Sequence, residues 1–379
     1  MIDKEKTLTS VRVGIVGVGV IGTAHAGTIF DGLVNGMTLS ALCDNDKSRL
    51  ASLETEFEGI PLFKSYEEMI KSGLVDAVII CTPHYFHPII AEYAFKNGLH
   101  VLSEKPLGVY TLSLKKVFKS QKKSGKLYAT MLNQRTNKLF MLAKKMVDGG
   151  EIGNLVKNKY VITNWYRTQE YYDSGNWRGT WRGEGGGVLI NQAPHNLDIY
   201  QYICGMPTSL KAECFEGKHH NIEVEDEAII HTKYENGATG EFITSTGIEN
   251  GINSFEIIGD KGKILIEKGK LILEKDGNTT SYDDEEYNGH LNILKNFANA
   301  ILKGENLIAP ASEAINELIL SNGAYLSSWE NKWVDIKLNE RKFFRLLKKK
   351  IASSKTKADT NNQENLFEKS YKKKWTTNW

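Results

Sequence analysis

Hydrophobic positions in the first third of the chain fall in short unbroken runs separated by longer amphipathic stretches. Residues 11–16 (VRVGIV), 37–43, 75–81, 99–103 and 127–131 are apolar enough to read as strands buried on both faces. Between them, residues 47–57, 66–70, 86–96 and 111–123 read as helices, with Gly98 at a helix stop. This alternation predicts an α/β fold built on a doubly wound parallel sheet. A helix over 137–147 ends the pattern at Gly149-Gly150, and the period then shortens. Residues 155–165, 210–215, 227–234, 238–246, 253–258, 263–266 and 270–273 are alternating runs separated by turns such as Asn236-Gly237 and Asp276-Gly277. They predict a second α/β domain with a largely antiparallel open sheet, followed by helices at 291–302 and 312–327 and a last strand at 333–338. The expected division is 1–133, 134–339 and a basic, mostly disordered tail, 340–379, whose amphipathic start at 341–351 reads as a solvated, partly helical appendage, with the chain beyond Leu338 dispensable.

At 379 residues and 41% apolar content the chain is long enough for two cores. Cys43, Cys81, Cys204 and Cys214 show no C-x-x-C spacing, so neither a zinc knuckle nor a disulfide framework is indicated. The polar N-terminus and the lack of any apolar run of about 18 residues predict a cytoplasmic protein without membrane insertion. Net charge is +2, but residues 340–379 hold 12 Lys/Arg against 4 Asp/Glu, a local +8, so subtraction leaves −6 for residues 1–339. A mildly acidic body argues against nucleic acid as a partner.

The first apolar run leads directly into Gly17, Gly19 and Gly22. Such a turn bends tightly at Gly17, admits a pyrophosphate at Gly19, and lets the following helix pack closely at Gly22. The helix N-terminus then presents its unpaired N–H groups to phosphate. The second strand ends at Asp44, where an acid can bind the ribose hydroxyls of a dinucleotide. Ligands of such sheets bind outside the carboxyl ends of the strands, so Gly17 to Gly22, Asp44, Thr82 and Lys105 are expected to share one crevice. Asp44 favours NAD because a carboxylate repels a 2′-phosphate, whereas Lys47 and Arg49 leave NADP open. His84 and His87 read as helix-start residues rather than as a metal pair.

Residues 166–205 break the alternating texture. Tyr166, Arg167, Tyr171, Tyr172, Asn176, Trp177, Arg178, Trp181 and Arg182 precede Gly185-Gly186-Gly187 and the stretch VLINQAPHNLDIYQYICG. Rings that stack on C–H faces and forked donors that bind hydroxyls suit a sugar. The stretch predicts a helix that places Asn191 and His195 side by side at i and i+4, with Gly187 leaving room for a ligand.

The pieces GVGVIG (17–22), CDND (43–46), CTPHYFH (81–87), EKP (104–106), GGGVLINQAPHNLD (185–198) and NGHLNILKNFANAIL (288–302) together resemble the Gfo/Idh/MocA oxidoreductases over about residues 10–338. The resemblance implies a Rossmann domain holding NAD or NADP and an α/β domain that covers a carbohydrate or cyclitol substrate. It also implies a homo-oligomer, dimer or tetramer, formed through the open sheet. The implied cofactor-binding residues are Gly17, Gly19, Val20, Ile21, Gly22, Asp44, Thr82, Pro83, His87, Glu104, Lys105 and Asn133. Lys105 and His195 are the implied catalytic pair, with Tyr166, Arg167, Trp177, Arg178 and Asn191 as further substrate contacts. The family often has Asp where this chain has Asn191, which cannot titrate. Oxidising a secondary alcohol requires a base near neutral pKa at the hydroxyl, which His195 can supply, and a cation that steadies developing alkoxide charge, which Lys105 can supply. Two other readings are an NAD-dependent glycoside-cleaving enzyme that recycles its cofactor internally and a non-catalytic nucleotide sensor. Retention of both Lys105 and His195 weighs against the sensor.

Overall fold

The computed structural model describes residues 9–175, 177–285 and 287–354, and within them the chain divides into two compact units. The first unit takes the described residues up to Gly108 together with Ser113–Thr136 and Tyr287–Ala314. Its strands are β1 (Val11–Val16), β2 (Met37–Cys43), β3 (Leu62–Phe63), β4 (Ala77–Ile80), β5 (His100–Ser103) and β6 (Tyr128–Thr130), all parallel in the order β3-β2-β1-β4-β5-β6. β1 is buried on both faces except at Arg12, whose guanidinium turns outward to grip both carboxylate oxygens of Asp76 at 2.7 and 3.0 Å. The accompanying helices are α1 (Val20–Phe30), α2 (Lys47–Glu56), α3 (Tyr66–Lys71), α4 (His87–Lys96) and α5 (Thr111–Ser124). Asp46 and Ser65 cap α2 and α3 by accepting from first-turn N–H groups.

The helix Gly289–Lys303 also belongs to this unit, so the expected boundary at 133 is corrected: the unit recovers a segment from far along the chain. That helix buries Ile293, Leu294 and Phe297 and packs against the turn at Asn133–Thr136. The fully buried Arg135 side chain beside it pairs with Glu313 at 2.6 Å and donates to Ile308 O at 3.2 Å. Covering a sheet face requires a helix but does not specify from which part of the sequence.

The second unit contains α6 (Lys138–Asp148), β7 (Leu155–Ile162), α7 (Gln169–Asp173), α8 (Pro194–Cys204), β8 (Ser209–Glu216), β9 (Glu225–Lys233), β10 (Thr239–Ser245), β11 (Asn253–Gly259), β12 (Gly262–Glu267), β13 (Lys270–Lys275) and β14 (Asn278–Asp283). After the helix of the first unit, here α9, come α10 (Ala311–Glu330), β15 (Val334–Asp335) and α11 (Glu340–Ser353). The nine-stranded sheet runs β14-β13-β12-β11-β7-β10-β9-β8-β15, antiparallel throughout except where β7 meets β10. Alternation along the strands turns Tyr160, Phe242 and Phe255 inward, where Phe242 and Phe255 pack against both Tyr160 and Tyr200 of α8, the paired ring centroids lying 4.4 to 6.1 Å apart. Strand β14, written NTTSYD, had no apolar alternation to announce it, and all of it is exposed.

The helical character expected at the start of the tail is found, but its solvated, appended character is corrected over residues 340–354. Asn339 caps α11, which buries Phe343 and Leu347, stacks Phe343 on Trp329 and Phe344 on Tyr110, and anchors Lys350 on Glu216 at 2.7 Å. Its apolar face is part of the second unit's core; the tail from residue 355 lies outside the described residues. No described helix is long and apolar enough to cross a membrane. Removing α11 exposes two buried side chains worth about 1.5–3 kcal/mol each. A chain ending at Leu338 should therefore melt roughly 10 °C below the full chain in calorimetry, and an unchanged melting temperature would show α11 to be a mere appendage.

Candidate active site

The turn between β1 and α1 owes its shape to two glycines. Gly17 has φ +91°, and a Cβ there would lie 2.8 Å from the backbone of Cys81 and Thr82; a Cβ on Gly22 would lie 1.9 Å from Gly17 O. Gly19 is different, since its nearest neighbour is the Arg49 guanidinium at 3.6 Å, leaving the backbone open to a ligand. No side chain caps α1, so the N–H groups of Val20, Ile21 and Gly22 start the helix without a capping acceptor. Asp44 accepts from Val18 N at 2.9 Å and Asp46 N at 2.9 Å, which fixes its carboxylate against the glycine turn. At the end of β4, Thr82 Oγ1 is buried without a hydrogen-bond partner, as is Asn133 Oδ1. An open glycine cradle, an uncapped helix and orphaned polar atoms fit a dinucleotide with its pyrophosphate at α1.

His87 departs from expectation. Its ring is buried, with Nε2 2.6 Å from Thr82 O and Nδ1 2.7 Å from Pro106 O, so it staples two strand-end loops together and has no nitrogen left for a cofactor. Pro83 accepts from Phe86 N at 2.9 Å and opens the short turn that carries His84.

At the end of β5, Glu104 is buried and accepts from His25 Nε2 at 2.8 Å and from the Lys105 backbone N–H at 3.3 Å. Burial pushes its pKa up, but the hydrogen bond and charge of His25, with the charges of His290 and Lys105, outweigh this and hold it at about 2. His290, 5.5 Å from His25 between ring centroids and 3.5 Å from Asn133 Nδ2, is driven down to about 4, chiefly by burial. Thus Lys105 stands beside a carboxylate that remains ionised. His25 and His290 were not singled out from the sequence, because their partner lies in a different segment.

In the second unit, the aromatic and basic segment gathers on Tyr171. The Tyr171 hydroxyl accepts from Arg178 at 2.6 Å, Asn191 Nδ2 at 3.2 Å and Gln192 Nε2 at 3.1 Å. The guanidinium of Arg178 lies 4.5 Å from the ring centroids of both Tyr171 and Trp177, and that of Arg167 lies 5.1 Å from Tyr171. Arg167 also donates to Tyr166 O at 2.9 Å. Asn191 donates to the buried Glu184, which accepts from Gly179 N at 2.7 Å as well. Glu184 and the hub role of Tyr171 went unread in the sequence, since neither carries a spacing signal.

Two expectations fail here. The helix begins at Pro194, so Asn191 sits in the preceding turn, where its N–H bonds to Gly187 O at 2.9 Å, and not on a helical face with His195. Gly187 leaves no room for a ligand: a Cβ there would lie 1.9 Å from Glu225 O. Its N–H and that of Leu189 instead bind the buried Glu225 carboxyl at 3.0 and 2.9 Å. His195, at the second position of α8, is 9% exposed.

The family model described as "Oxidoreductase family, NAD-binding Rossmann fold" matches residues 11–131, and that described as "GFO/IDH/MocA C-terminal domain" matches residues 140–265. The chain is 24% identical over 347 residues to the myo-inositol 2-dehydrogenase of Thermotoga maritima, covering 87% of this chain and 99% of that protein. It is 25% identical over 264 residues to the scyllo-inositol 2-dehydrogenase (NAD(+)) of Bacillus subtilis, covering 68% and 73%. Among solved structures, the WlbA dehydrogenase from Bordetella pertussis in complex with NADH and UDP-GlcNAcA superposes with a TM-score of 0.77 at 26% identity, covering 87% of this chain and all of that one.

The buried histidine has a measurable consequence. His290 is neutral in the fold down to about pH 4, whereas an unfolded histidine takes up a proton below about 6.5. Between these values unfolding binds a proton, so stability falls as pH falls, by on the order of 1 kcal/mol per pH unit from this group. Thermal melts from pH 6.5 to 4 should show the decline, and His290→Asn should flatten it; an unaltered slope would mean that His290 is protonated in the fold.

Proposed function

The chain belongs to the Gfo/Idh/MocA oxidoreductase family, and from that premise we propose that it is an NAD-dependent dehydrogenase of a secondary hydroxyl on a sugar, cyclitol or sugar derivative. The observation that carries this reading is the ionised Glu104 beside Lys105, at a strand end of the same sheet whose first turn is open for a dinucleotide. The Lys105 charge acts on Glu104, and a cation at this strand end can steady a developing alkoxide. Bound NAD would supply the hydride acceptor for the carbon-bound hydrogen. His195 takes the hydroxyl proton, which requires its neutral form. Asn191, held by Glu184 and Tyr171, orients substrate and moves no proton. Asp44 selects NAD over NADP by charge, although Arg49 lies near enough to the glycine turn to bind a phosphate. The names of the similar inositol dehydrogenases and of the UDP-GlcNAcA complex support a polyhydroxylated substrate.

The same reading makes the protein a cytoplasmic homo-oligomer, a dimer or tetramer. One face of the nine-stranded sheet leaves Val161, Ile229, Ile243, Ile258 and Leu265 half-buried at alternate positions, an apolar surface that a second copy of the sheet would cover. Light scattering should give at least twice the 42.6 kDa chain mass, and a monomer at working concentration would refute this.

The test of activity is incubation with NAD⁺ or NADP⁺ and a panel of polyols, inositols, aldoses and their derivatives while following absorbance of the reduced nicotinamide. NAD⁺ should be preferred. Lys105→Met should lower kcat on the order of 10²-fold with NAD affinity changed only a few-fold. His195→Ala should abolish the rise of kcat through neutral pH, since only neutral imidazole accepts the proton. Near-normal turnover in either variant removes that residue from the mechanism.

A further inference from the structure

His220 lies outside every residue assigned above, in the turn between β8 and β9. Its Nδ1 is 3.0 Å from Asp226 Oδ2 and its Nε2 is 2.9 Å from Arg167 O. Both neighbours are acceptors. A neutral imidazole has one N–H and would point a lone pair at the other oxygen, so the two contacts are satisfied together only by the imidazolium, which donates twice. Asp226 is a suitable counter-ion: fully buried, it accepts backbone N–H bonds from Lys218, His219 and His220 at 2.8 to 3.0 Å. Although burial alone raises its pKa, the His220 bond and these N–H groups bring it below the ordinary carboxylate value.

The same turn braces the aromatic segment at three points. His220 holds Arg167 O, Asn221 N donates to Gln169 Oε1 at 2.9 Å, and Glu223 N donates to Gly179 O at 3.0 Å. Arg167 N in turn donates to Thr246 O at 2.9 Å, and Tyr172 bonds Thr246 Oγ1 at 2.8 Å while its ring lies 4.9 Å from that of His220. The backbone that carries Arg167 and Arg178 is therefore braced at several points, and the His220 imidazole is the link that ties Arg167 O to the Asp226 carboxylate of β9.

We propose that His220, paired with Asp226, is a positioning residue that latches the segment 167–173 at Arg167 and so sets the affinity for the polyhydroxylated substrate in a pH-dependent way. The proposal rests on the substrate reading given above for that segment. The titratable and charged groups around the ring are Asp226 on β9, His219 and Lys218 on the turn, and Tyr172 and Arg167 on the segment; Glu227 is occupied by Lys218 and His219. Burial lowers the His220 pKa, but the Asp226 bond, the Arg167 carbonyl and the Asp226 charge leave it above 6.5. A raised pKa means that the latch is complete below about pH 6.5 and is lost as pH rises through the raised value.

Two measurements on the full-length protein test this. Hydrogen exchange of the peptide spanning residues 167–173 should quicken about tenfold or more from pH 6 to pH 9 after correction for intrinsic rates, and His220→Phe should exchange fast at both. His220→Gln, which keeps a single donor, should lie between them with no pH step, and gives a reading even if the Phe variant folds poorly. With a substrate from the panel, KM should rise about tenfold over the same range in the natural protein and be high and flat in His220→Phe, while NAD affinity stays within a few-fold. The pH step expected from His195 falls in kcat and is separable. Exchange that is indifferent to pH or to His220 overturns the latch, and an exchange response without a KM response overturns its role in substrate affinity. Should no polyol be oxidised at all, the dehydrogenase reading fails while the exchange data still decide the latch.

Discussion

Glu104 keeps its negative charge inside a protein core, and much of the first unit is arranged around that fact. An unpaired carboxylate at this depth would take up a proton. Here His25 on α1 donates to it and Lys105 follows it in the chain, so two segments far apart in sequence supply the compensating hydrogen bond and charge. The cost of keeping α1 close enough for His25 to reach falls on Gly22, where any side chain would strike Gly17 O. The glycine turn that makes room for a dinucleotide is thus the same packing that brings the histidine to the glutamate. Cofactor site and lysine site share one constraint.

The second unit shows buried acids resolved in different ways. Glu225 has two backbone N–H groups and the Tyr325 hydroxyl at 2.7 Å, yet burial outweighs these bonds and drives it up to about 8. Asp226, its neighbour in sequence, has three backbone N–H groups and an imidazole and stays ionised. Adjacent residues on β9 point to opposite faces of the sheet, so one acid organises the turn at Gly187 and the other the turn at Lys218. Between them they hold both ends of the aromatic segment. This explains how a stretch whose described residues form little regular structure beyond the short helix α7 keeps Tyr171 at the centre of its bonds.

Sequence by itself determined the parts of this protein whose signal is local. The buried runs of β1, β2, β4, β5 and β6, the glycine turn, the acid at the end of β2 and the lysine at the end of β5 are all legible because strand burial, positive φ and strand-end position follow from a few consecutive residues. The change of period after residue 150 likewise announces the second sheet. Only the tertiary structure decided the rest. β14 is polar throughout and is a strand because β13 offers it an edge; α11 looks like a solvated basic stretch until Trp329 and Tyr110 receive its phenylalanines. Asn191 and His195 share helical spacing, but Pro194 and the bonds to Gly187 begin the helix between them. His25, His87, His220 and His290 are four histidines of one residue type with four different surroundings. Their partners, at separations of up to 157 residues, are brought near by packing that no window of sequence contains. A residue's identity states which protons it can hold, whereas the field that makes it hold or release them comes from atoms placed by the fold.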